Sequence, residues 1–528
     1  MNYVDIYEAN NVYFPMNLDN CSNLAGLLFS TINTSIYKTK IDWGDGSTTE
    51  GTTNSSKIFS PSFTGKMKIY GNRLKINNIR FSLGISSYTN DFPTGSIKNI
   101  ELTPIILDFF PNTEYLYFLH YCYGNTDSNV FKGKVTGEWA VKCGSKLKNL
   151  ELTACDYPNS NPTFNFDLIP IDSVLEVLKL GDNYTSGSST VIVSGNISNL
   201  PSTCKVCLIG IDKAGTSNNI SGIIPNTIEE FQRPGRNTIS GNIGNLSNNL
   251  RYLRVEGSNT MTGLLVNFPY LTYLYLSGQN TISGNLSNIS NASTILITGN
   301  NKLTGNIPAM PNCTYINIQG INELTGSIPI LNNLVTFQIT GNNTLSGSVS
   351  LPNCTSFIVQ GQNNINSINL PKVDTLIFGG QNTISGDLSS QINANCRNIN
   401  VSGQNTISSI SGNFPLANTF SLGGLNSLSG DLLAKAPNST VFALSGNNTM
   451  NAYVSKSYPT TMASIDIVGK AALTTAMVDQ LLIDLSASNW GGTTPRVTIR
   501  GNSQPPSSAS ASARTMLSNK GVTLSLNS

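Results

Sequence analysis

One sequence unit recurs about every 21 residues through the middle of the chain. It is plain in YLYLSGQNTISG at 273–284, ILITGNNKLTG at 295–305 and YINIQGINELTG at 315–326. A fixed period of this length is typical of a solenoid, in which each repeat forms one turn and buries its apolar side against its neighbours. For a chain of 528 residues, the pattern favours a stack of turns over one compact globule.

Each unit carries one asparagine that serves as its marker. The markers are Asn237, Asn259, Asn280, Asn301, Asn322, Asn343, Asn363, Asn382, Asn405, Asn426 and Asn448. Six and four residues before the marker stand apolar side chains, such as Leu274 and Leu276, with a different residue between them. That alternation is the period of a β-strand with one face inward. A glycine two residues before each marker predicts a backbone turn that no Cβ can follow, so each turn should contribute one short strand.

The marker asparagine has a physical role of its own. Where the chain turns away from the strand, backbone amides lose their ladder partners, and an inward carboxamide can hydrogen-bond to those of a neighbouring turn. We therefore predict a buried asparagine ladder. Its members are Asn259, Asn280, Asn301, Asn322, Asn343, Asn363, Asn382, Asn405, Asn426 and Asn448. The alternative is that asparagine marks only a solvent-exposed turn.

Nine cysteines invite a disulfide interpretation, but the repeat argues against it. Cys313, Cys354 and Cys396 share one core position, nine residues before the marker, in turns that lie two apart. Two strand steps span roughly 10 Å, which is beyond disulfide reach. We interpret these cysteines as buried and unpaired, and we interpret Cys204 and Cys207 as core residues rather than as a metal or redox pair.

The pattern L-x-x-L-x-L-x-G-x-N-x-(I/L)-(S/T)-G, continued as GNIP at 305–308 and GSIP at 326–329, resembles the leucine-rich-repeat family. The resemblance covers residues 96–470, with regular units over 218–450 and irregular, longer units up to about 217. The fold expected for the whole chain is mainly β. It is a leucine-rich-repeat solenoid of about 21-residue turns, with an N-terminal antiparallel β domain and a C-terminal α/β cap.

The N-terminal part, residues 1–95, has strand-like runs separated by Gly and Asn, which predicts a small antiparallel β domain. WGDGS at 43–47 resembles the turn of PKD-like β-sandwiches, which occur on bacterial surface and phage proteins. We interpret it as a structural turn, because Asp42 and Asp45 fall short of the six to eight oxygens that calcium takes.

The C-terminal part, residues 471–528, is predicted to cap the last turn of the stack. Its pattern indicates a helix at 473–488, a strand at 496–502, a second helix near 507–519 and a closing strand at 522–527. This block is similar to the ends of leucine-rich-repeat proteins from gut Bacteroidales and of phage fibre proteins.

The strand residues that point outward lie seven, five and three positions before the marker, and we name these positions the outward columns. Almost none of them is charged, and tyrosine, amide and hydroxyl side chains dominate. Rigid aromatics supply contact area and small polar groups supply hydrogen bonds, so the columns suit a broad contact with a glycan or a protein. The predicted binding face comprises Tyr252, Arg254, Tyr273, Tyr275, Tyr315, Asn317, Gln319 and Gln338. The alternative is a merely solvated sheet face.

Several function classes are disfavoured by composition. Charged residues make up 11% of the chain against about 25% in an average protein, and the net charge of +2 offers no basic stripe for nucleic acid. His120 is the sole histidine, and no P-loop, dinucleotide fingerprint or zinc-protease motif is present, so we expect no enzyme, cofactor or metal site. No apolar run is long enough to span a membrane, and the N-terminus does not resemble a secretory signal peptide.

The functional expectation is a non-enzymatic phage virion or fibre protein. By resemblance, its N-terminal domain docks to the particle, and its solenoid contacts other virion proteins or a cell-surface glycan or protein; self-association stays open. A bacterial surface adhesin is the alternative, and the lack of a signal peptide favours the virion. An ice-binding solenoid is the weakest alternative, because Tyr, Gln and Ile interrupt the Thr and Asn of the outward columns.

Overall fold

The computed structural model describes short segments of the first 95 residues and most of the chain after them. The described residues are 14–18, 21–22, 25–30, 39–42, 46–51, 55–59, 65–70, 78–83, 96–109, 111–120, 131–152, 161–181, 192–210, 219–233, 235, 237–458 and 461–528. Residues 43–45 of the WGDGS string lie outside them. The chain divides into two compact units, the first of residues 1–262 and 275–279 and the second of residues 263–274 and 280–528.

Strands dominate both units. The strands up to residue 265 are β1 (Phe14–Leu18), β2 (Cys21–Ser22), β3 (Ala25–Ser30), β4 (Thr39–Asp42), β5 (Thr48–Gly51), β6 (Ser55–Phe59), β7 (Gly65–Tyr70), β8 (Asn78–Leu83), β9 (Ser96–Leu102), β10 (Tyr115–His120), β11 (Phe131–Glu138), β12 (Asn149–Leu152), β13 (Asn161–Asn165), β14 (Val177–Leu180), β15 (Ile192–Asn196), β16 (Val206–Ile209), β17 (Asn219–Ile223), β18 (Glu230–Arg233), β19 (Asn237–Asn242) and β20 (Tyr252–Leu265). The later strands are β21 (Tyr273–Asn285), β22 (Thr294–Asn306), β23 (Tyr315–Ser327), β24 (Thr336–Gly341), β25 (Thr344–Ser350), β26 (Ser356–Val359), β27 (Asn364–Asn369), β28 (Thr375–Phe378), β29 (Ser385–Asp387), β30 (Asn398–Val401), β31 (Thr406–Ser409), β32 (Thr419–Leu422), β33 (Ser429–Gly430), β34 (Val441–Leu444), β35 (Thr449–Met450), β36 (Ser464–Ile467), β37 (Arg496–Ile499) and β38 (Thr523–Leu526).

Helices are few and short among the described residues. The α-helices are α1 (Ile106–Phe109), α2 (Thr475–Ser486) and α3 (Ala511–Asn519). Single 3₁₀ turns cover Ala140–Lys142, Phe166–Leu168, Ile197–Asn199, Ile243–Asn245, Leu286–Ile289, Leu388–Ser390, Leu433–Lys435 and Ser508–Ser510. Several 3₁₀ turns begin after an asparagine whose side chain accepts a hydrogen bond from the amide two residues on, as Asn242 does from Gly244 at 2.8 Å.

The first unit combines antiparallel and parallel pairing. Strands β1, β7, β4 and β5 form an antiparallel sheet in that order, and β3 pairs antiparallel with β6 and with β8. From β8 onward, β10, β12, β14, β16, β18 and β20 pair in parallel, each with the next. The parallel ladder therefore takes in residues 78–83, inside the segment predicted as the N-terminal domain.

In the second unit one parallel ladder runs from β22 to the last strand of the chain. It passes through β23, β24, β26, β28, β30, β32, β34, β36, β37 and β38, and the two inward positions of each strand pair with the same positions of the next. The residues six before the marker lie side by side on neighbouring strands, as Ile316, Phe337 and Phe357 do. The predicted mainly β solenoid of about 21-residue turns is confirmed.

The core of each turn is built by the two inward positions of its strand. Phe337, Phe357 and Phe442 are fully buried, and the rings of Phe337 and Phe357 stack with centroids 5.5 Å apart. Parallel strands place identical positions on top of one another, so aromatic residues six before the marker stack without a special sequence signal.

The glycine before each marker is required by conformation and by space. Gly341 has φ +126°, a region that side chains rarely adopt, and a Cβ there would lie 2.5 Å from the backbone nitrogen of Asn322 in the preceding turn. Gly320 has the same relation to Asn301. The sequence predicts the turn; the close backbone approach is an additional finding.

The C-terminal cap has the predicted elements. Helix α2 begins after Thr474, whose hydroxyl accepts a hydrogen bond from the amide of Met477, and it buries Val478, Leu481 and Leu485. Strands β37 and β38 extend the parallel ladder, and α3 lies between them in sequence. The parallel ladder thus continues through the small helical part as far as β38.

The marker asparagines lie inside the stack. Ten of them, from Asn259 to Asn448, are at most 1% exposed. Asn322 shows the pattern: its Oδ1 accepts a hydrogen bond from Leu303 N of the preceding turn at 3.1 Å, and its Nδ2 donates to Thr340 O of the following turn at 3.1 Å. One side chain therefore joins three consecutive turns through their backbones.

We expect Asn322→Ala to lower the free energy of unfolding by about 1–3 kcal/mol, because it leaves buried backbone groups without partners. Asn332→Ala is the matched control, since Asn332 is exposed and its side chain makes no hydrogen bond with any described residue. The control should change stability by less than about 0.5 kcal/mol. Denaturant unfolding of both variants measures the two stability changes. Equal unfolding midpoints for Asn322→Ala and Asn332→Ala would show that the ladder contributes nothing to stability.

The cysteines of the core column are free and buried. Burial raises the pKa of Cys313 to about 11 and the pKa of Cys354 and of Cys396 to about 12. Cys204 and Cys207 are also free and buried. The interpretation of these cysteines as unpaired core residues is confirmed.

We expect Cys313, Cys354 and Cys396 to resist iodoacetamide in the native protein at pH 8, because the reactive thiolate is both scarce and enclosed. All three should be labelled after denaturation without a reducing agent. Mass spectrometry of the two samples checks this, and a disulfide between any two of them would contradict the register of the turns.

Candidate functional site

The outward columns of the second unit form a neutral surface. No residue in these columns between Thr294 and Ser445 is charged. Parallel pairing aligns the middle column residue by residue; its members are Leu296, Asn317, Gln338, Ile358, Ile377, Asn400, Ser421 and Ala443. Amides, hydroxyls and aliphatic groups therefore stand side by side at the spacing of the strands, about 4.8 Å.

Tyr315, Asn317 and Gln319 are linked along one strand of this surface. Asn317 Nδ2 donates to the Tyr315 hydroxyl at 3.3 Å, and Gln319 Nε2 donates to Asn317 Oδ1 at 3.2 Å. Asn317 is only 8% exposed, so it orients its neighbours more than it offers a contact of its own. Gln338 makes no side-chain hydrogen bond with any described residue, which leaves its amide available to a ligand.

The first unit presents a different surface at the same columns. Arg254 Nε donates to Glu256 Oε1 at 2.7 Å, and its guanidinium lies 5.4 Å from the ring centroid of Tyr275. Lys179 and Glu151 form another ion pair at 3.0 Å. These four charges are thus paired within the surface, and Arg254 is held by two neighbours.

The predicted tyrosine cluster divides between the units. Tyr252, Arg254 and Tyr275 belong to the first unit, and Tyr273, Tyr315, Asn317, Gln319 and Gln338 belong to the second. All four tyrosines are half-buried. The second group carries the neutral columns, so we take it as the candidate site.

A further polar cluster was not indicated by the sequence pattern. Lys456 lies near Asp431, with Nζ 3.8 Å from Oδ1, and near the rings of Tyr453 and Tyr458. These residues follow no common period, and only the fold brings them together. An Asp just after a repeat and a Lys between two tyrosines are too common to signal such a cluster.

Within the described part of the chain, no three His, Cys, Asp or Glu side chains are grouped so that they could hold a metal ion. Nor does any described helix have both the length and the apolar character needed to cross a membrane.

Comparison with solved structures finds weak similarity. No protein-family model matches the chain, and no curated protein does. A solved structure described as the plant peptide hormone receptor RGFR1 in complex with RGF2 is similar over 81% of this chain and 85% of that one, at 16% identity and a TM-score of 0.37.

Proposed function

We propose that this chain is a non-enzymatic attachment protein whose neutral outward columns in the second unit bind an uncharged cell-surface glycan. The observation that carries the proposal is the surface from Thr294 to Ser445, which is regular, uncharged and rich in amide and hydroxyl groups. Sugar hydroxyls can donate and accept with such groups, and a tyrosine ring can cover the apolar face of a sugar.

The shape of the candidate site favours an extended ligand. Aligned residues such as Asn317, Gln338 and Ile358 present uncharged side chains from strand to strand. A polymer that repeats along its length can contact many such rows, so weak contacts add up without a deep pocket.

The biological setting we propose is a phage virion, with the N-terminal domain docked to the particle. Support comes from the resemblance of WGDGS at 43–47 and of the C-terminal block to phage proteins. A bacterial surface adhesin uses the same face and remains the alternative. Ice binding is less favoured, because Gln338, Ile358 and Ile377 interrupt any regular threonine column.

We expect the double variant Tyr315→Ala, Gln338→Ala to weaken attachment to target cells or purified surface polysaccharide by about tenfold or more. The fold should survive, because both side chains lie on the outer face of their strands. Tyr270→Ala is the matched control: Tyr270 is a tyrosine of the same unit, 57% exposed and outside the outward columns. If the double variant attaches as the parent does, the face is not the binding surface.

The neutral surface also predicts the response to salt. Attachment should change less than about threefold between 0.1 and 1 M NaCl, because screening acts on charges. Periodate treatment of the target, which cleaves sugar diols, should abolish attachment, whereas protease treatment should not. Loss of attachment after protease alone would identify a protein receptor and contradict the glycan.

A further inference from the structure

The segment after the last regular repeat, residues 451–458, is held against helix α2, and we name it the strap. Asp484 of α2 binds it at three points. Its carboxylate accepts hydrogen bonds from the Tyr453 hydroxyl at 2.6 Å, the Lys456 amide at 3.0 Å and the Ser455 hydroxyl at 3.1 Å. The Tyr458 hydroxyl donates to that of Tyr453 at 3.0 Å. The strap is therefore fixed on both sides of Lys456.

The amino group of Lys456 has an unusual environment. Its Nζ is buried and forms no hydrogen bond with any described residue. The rings of Tyr453 and Tyr458 each lie 5.8 Å away, and Asp431 Oδ1 lies 3.8 Å away, beyond hydrogen-bond length. An ammonium carries three donors and normally satisfies them, so this position suits a neutral nitrogen better than a charged one.

The facing carboxyl group is also fixed. Asp431 is 11% exposed at its side chain, and its two oxygens accept hydrogen bonds from Ala434 N at 3.1 Å and Val454 N at 3.0 Å. Val454 belongs to the strap, so the bond that orients Asp431 also brings Lys456 to it. Nζ thus lies 3.8 Å from an oxygen of a carboxyl group that cannot rotate freely.

Burial is the largest influence on Lys456 and lowers the pKa of its amine to about 8, against the opposing attraction of Asp431. A neutral lysine amine is a good nucleophile, and burial is a common way to obtain one. Holding the two reacting groups together replaces a collision in water by an intramolecular step.

We propose that Lys456 and Asp431 condense to an intramolecular amide, an isopeptide bond from Nζ to Cγ. The ammonium first passes a proton to the carboxylate, which leaves an amine and a carboxylic acid. Nζ attacks Cγ, the C–O bond to the hydroxyl breaks, and one water leaves with the two protons that Nζ loses in the reaction. No oxidant, metal or co-substrate is needed, because charges and atoms balance within the pair.

A cavity lies beside the strap. It has a volume of about 430 Å³ and is lined by residues that include Ser455, Lys456 and Asp484. The bond would join the turn that contains Asp431 to the strap, and through the strap to helix α2. The proposal is independent of ligand binding by the outward columns.

The test is the mass of the purified full chain. The linked protein should be about 18 Da lighter than its sequence, the mass of one water lost in amide formation. Lys456→Arg and Asp431→Ala should each remove the deficit. Lys435→Arg is the control that should keep it, because Lys435 is only half-buried and its Nζ donates to Ser411 O instead.

Peptide mapping locates the bond, which matters because dehydration at Asp45–Gly46 would remove the same mass. Trypsin cannot cut at an amidated Lys456, so the linked protein should yield peptide 398–435 joined to peptide 436–470 through Asp431 and Lys456. Quantitative recovery of separate peptides 398–435 and 436–456 would overturn the proposal, whatever the intact mass.

Discussion

The solenoid depends on the carboxamide of one asparagine per turn. The glycine turn ends the strand ladder and leaves backbone groups without strand partners inside the stack. Asparagine has a donor and an acceptor on a side chain short enough to lie in the turn, so it can bond to both neighbouring turns. Asn301, Asn322 and Asn343 each accept from the preceding turn and donate to the following one. The apolar strand positions can therefore pack while most of the buried polar groups at the turns keep partners.

The ladder changes form where the repeat changes length. Up to Asn343, the Nδ2 donates to a carbonyl of the following turn, but in Asn382, Asn405 and Asn426 it donates to the carbonyl three residues earlier in its own turn. Asn363 lies between the two forms, and its Nδ2 has no partner among the described residues. The two turns around it are shortened by one and two residues. The Oδ1 bond to the preceding turn persists from Asn363 to Asn426, whereas Asn448 Oδ1 has no partner among the described residues.

Much of this architecture could be predicted because the same pattern of residues recurs in every repeat. Inward positions such as Phe337 and Ile339, the glycine and the asparagine recur at fixed distances, and each has a local physical reason. The helix at Thr475–Ser486 was predictable from its apolar spacing for the same reason. What escaped prediction is non-periodic. Nothing in the sequence says that Arg254 is held by Glu256 and Tyr275, or that Asn317 is covered by its neighbours, because both depend on which side chains meet across strands.

The stack and its end place different demands on sequence. Within the stack, the inward positions and the asparagine maintain the fold, so the outward columns are free to vary and to carry recognition. The regular repeat ends with the turn of Asn448. Here the chain departs from the repeat: it adds helices, extends the ladder through β37 and β38, and draws the strap onto Asp484. The contacts made there by Asp431, Tyr453, Lys456 and Asp484 follow no period, because each of them occurs only once.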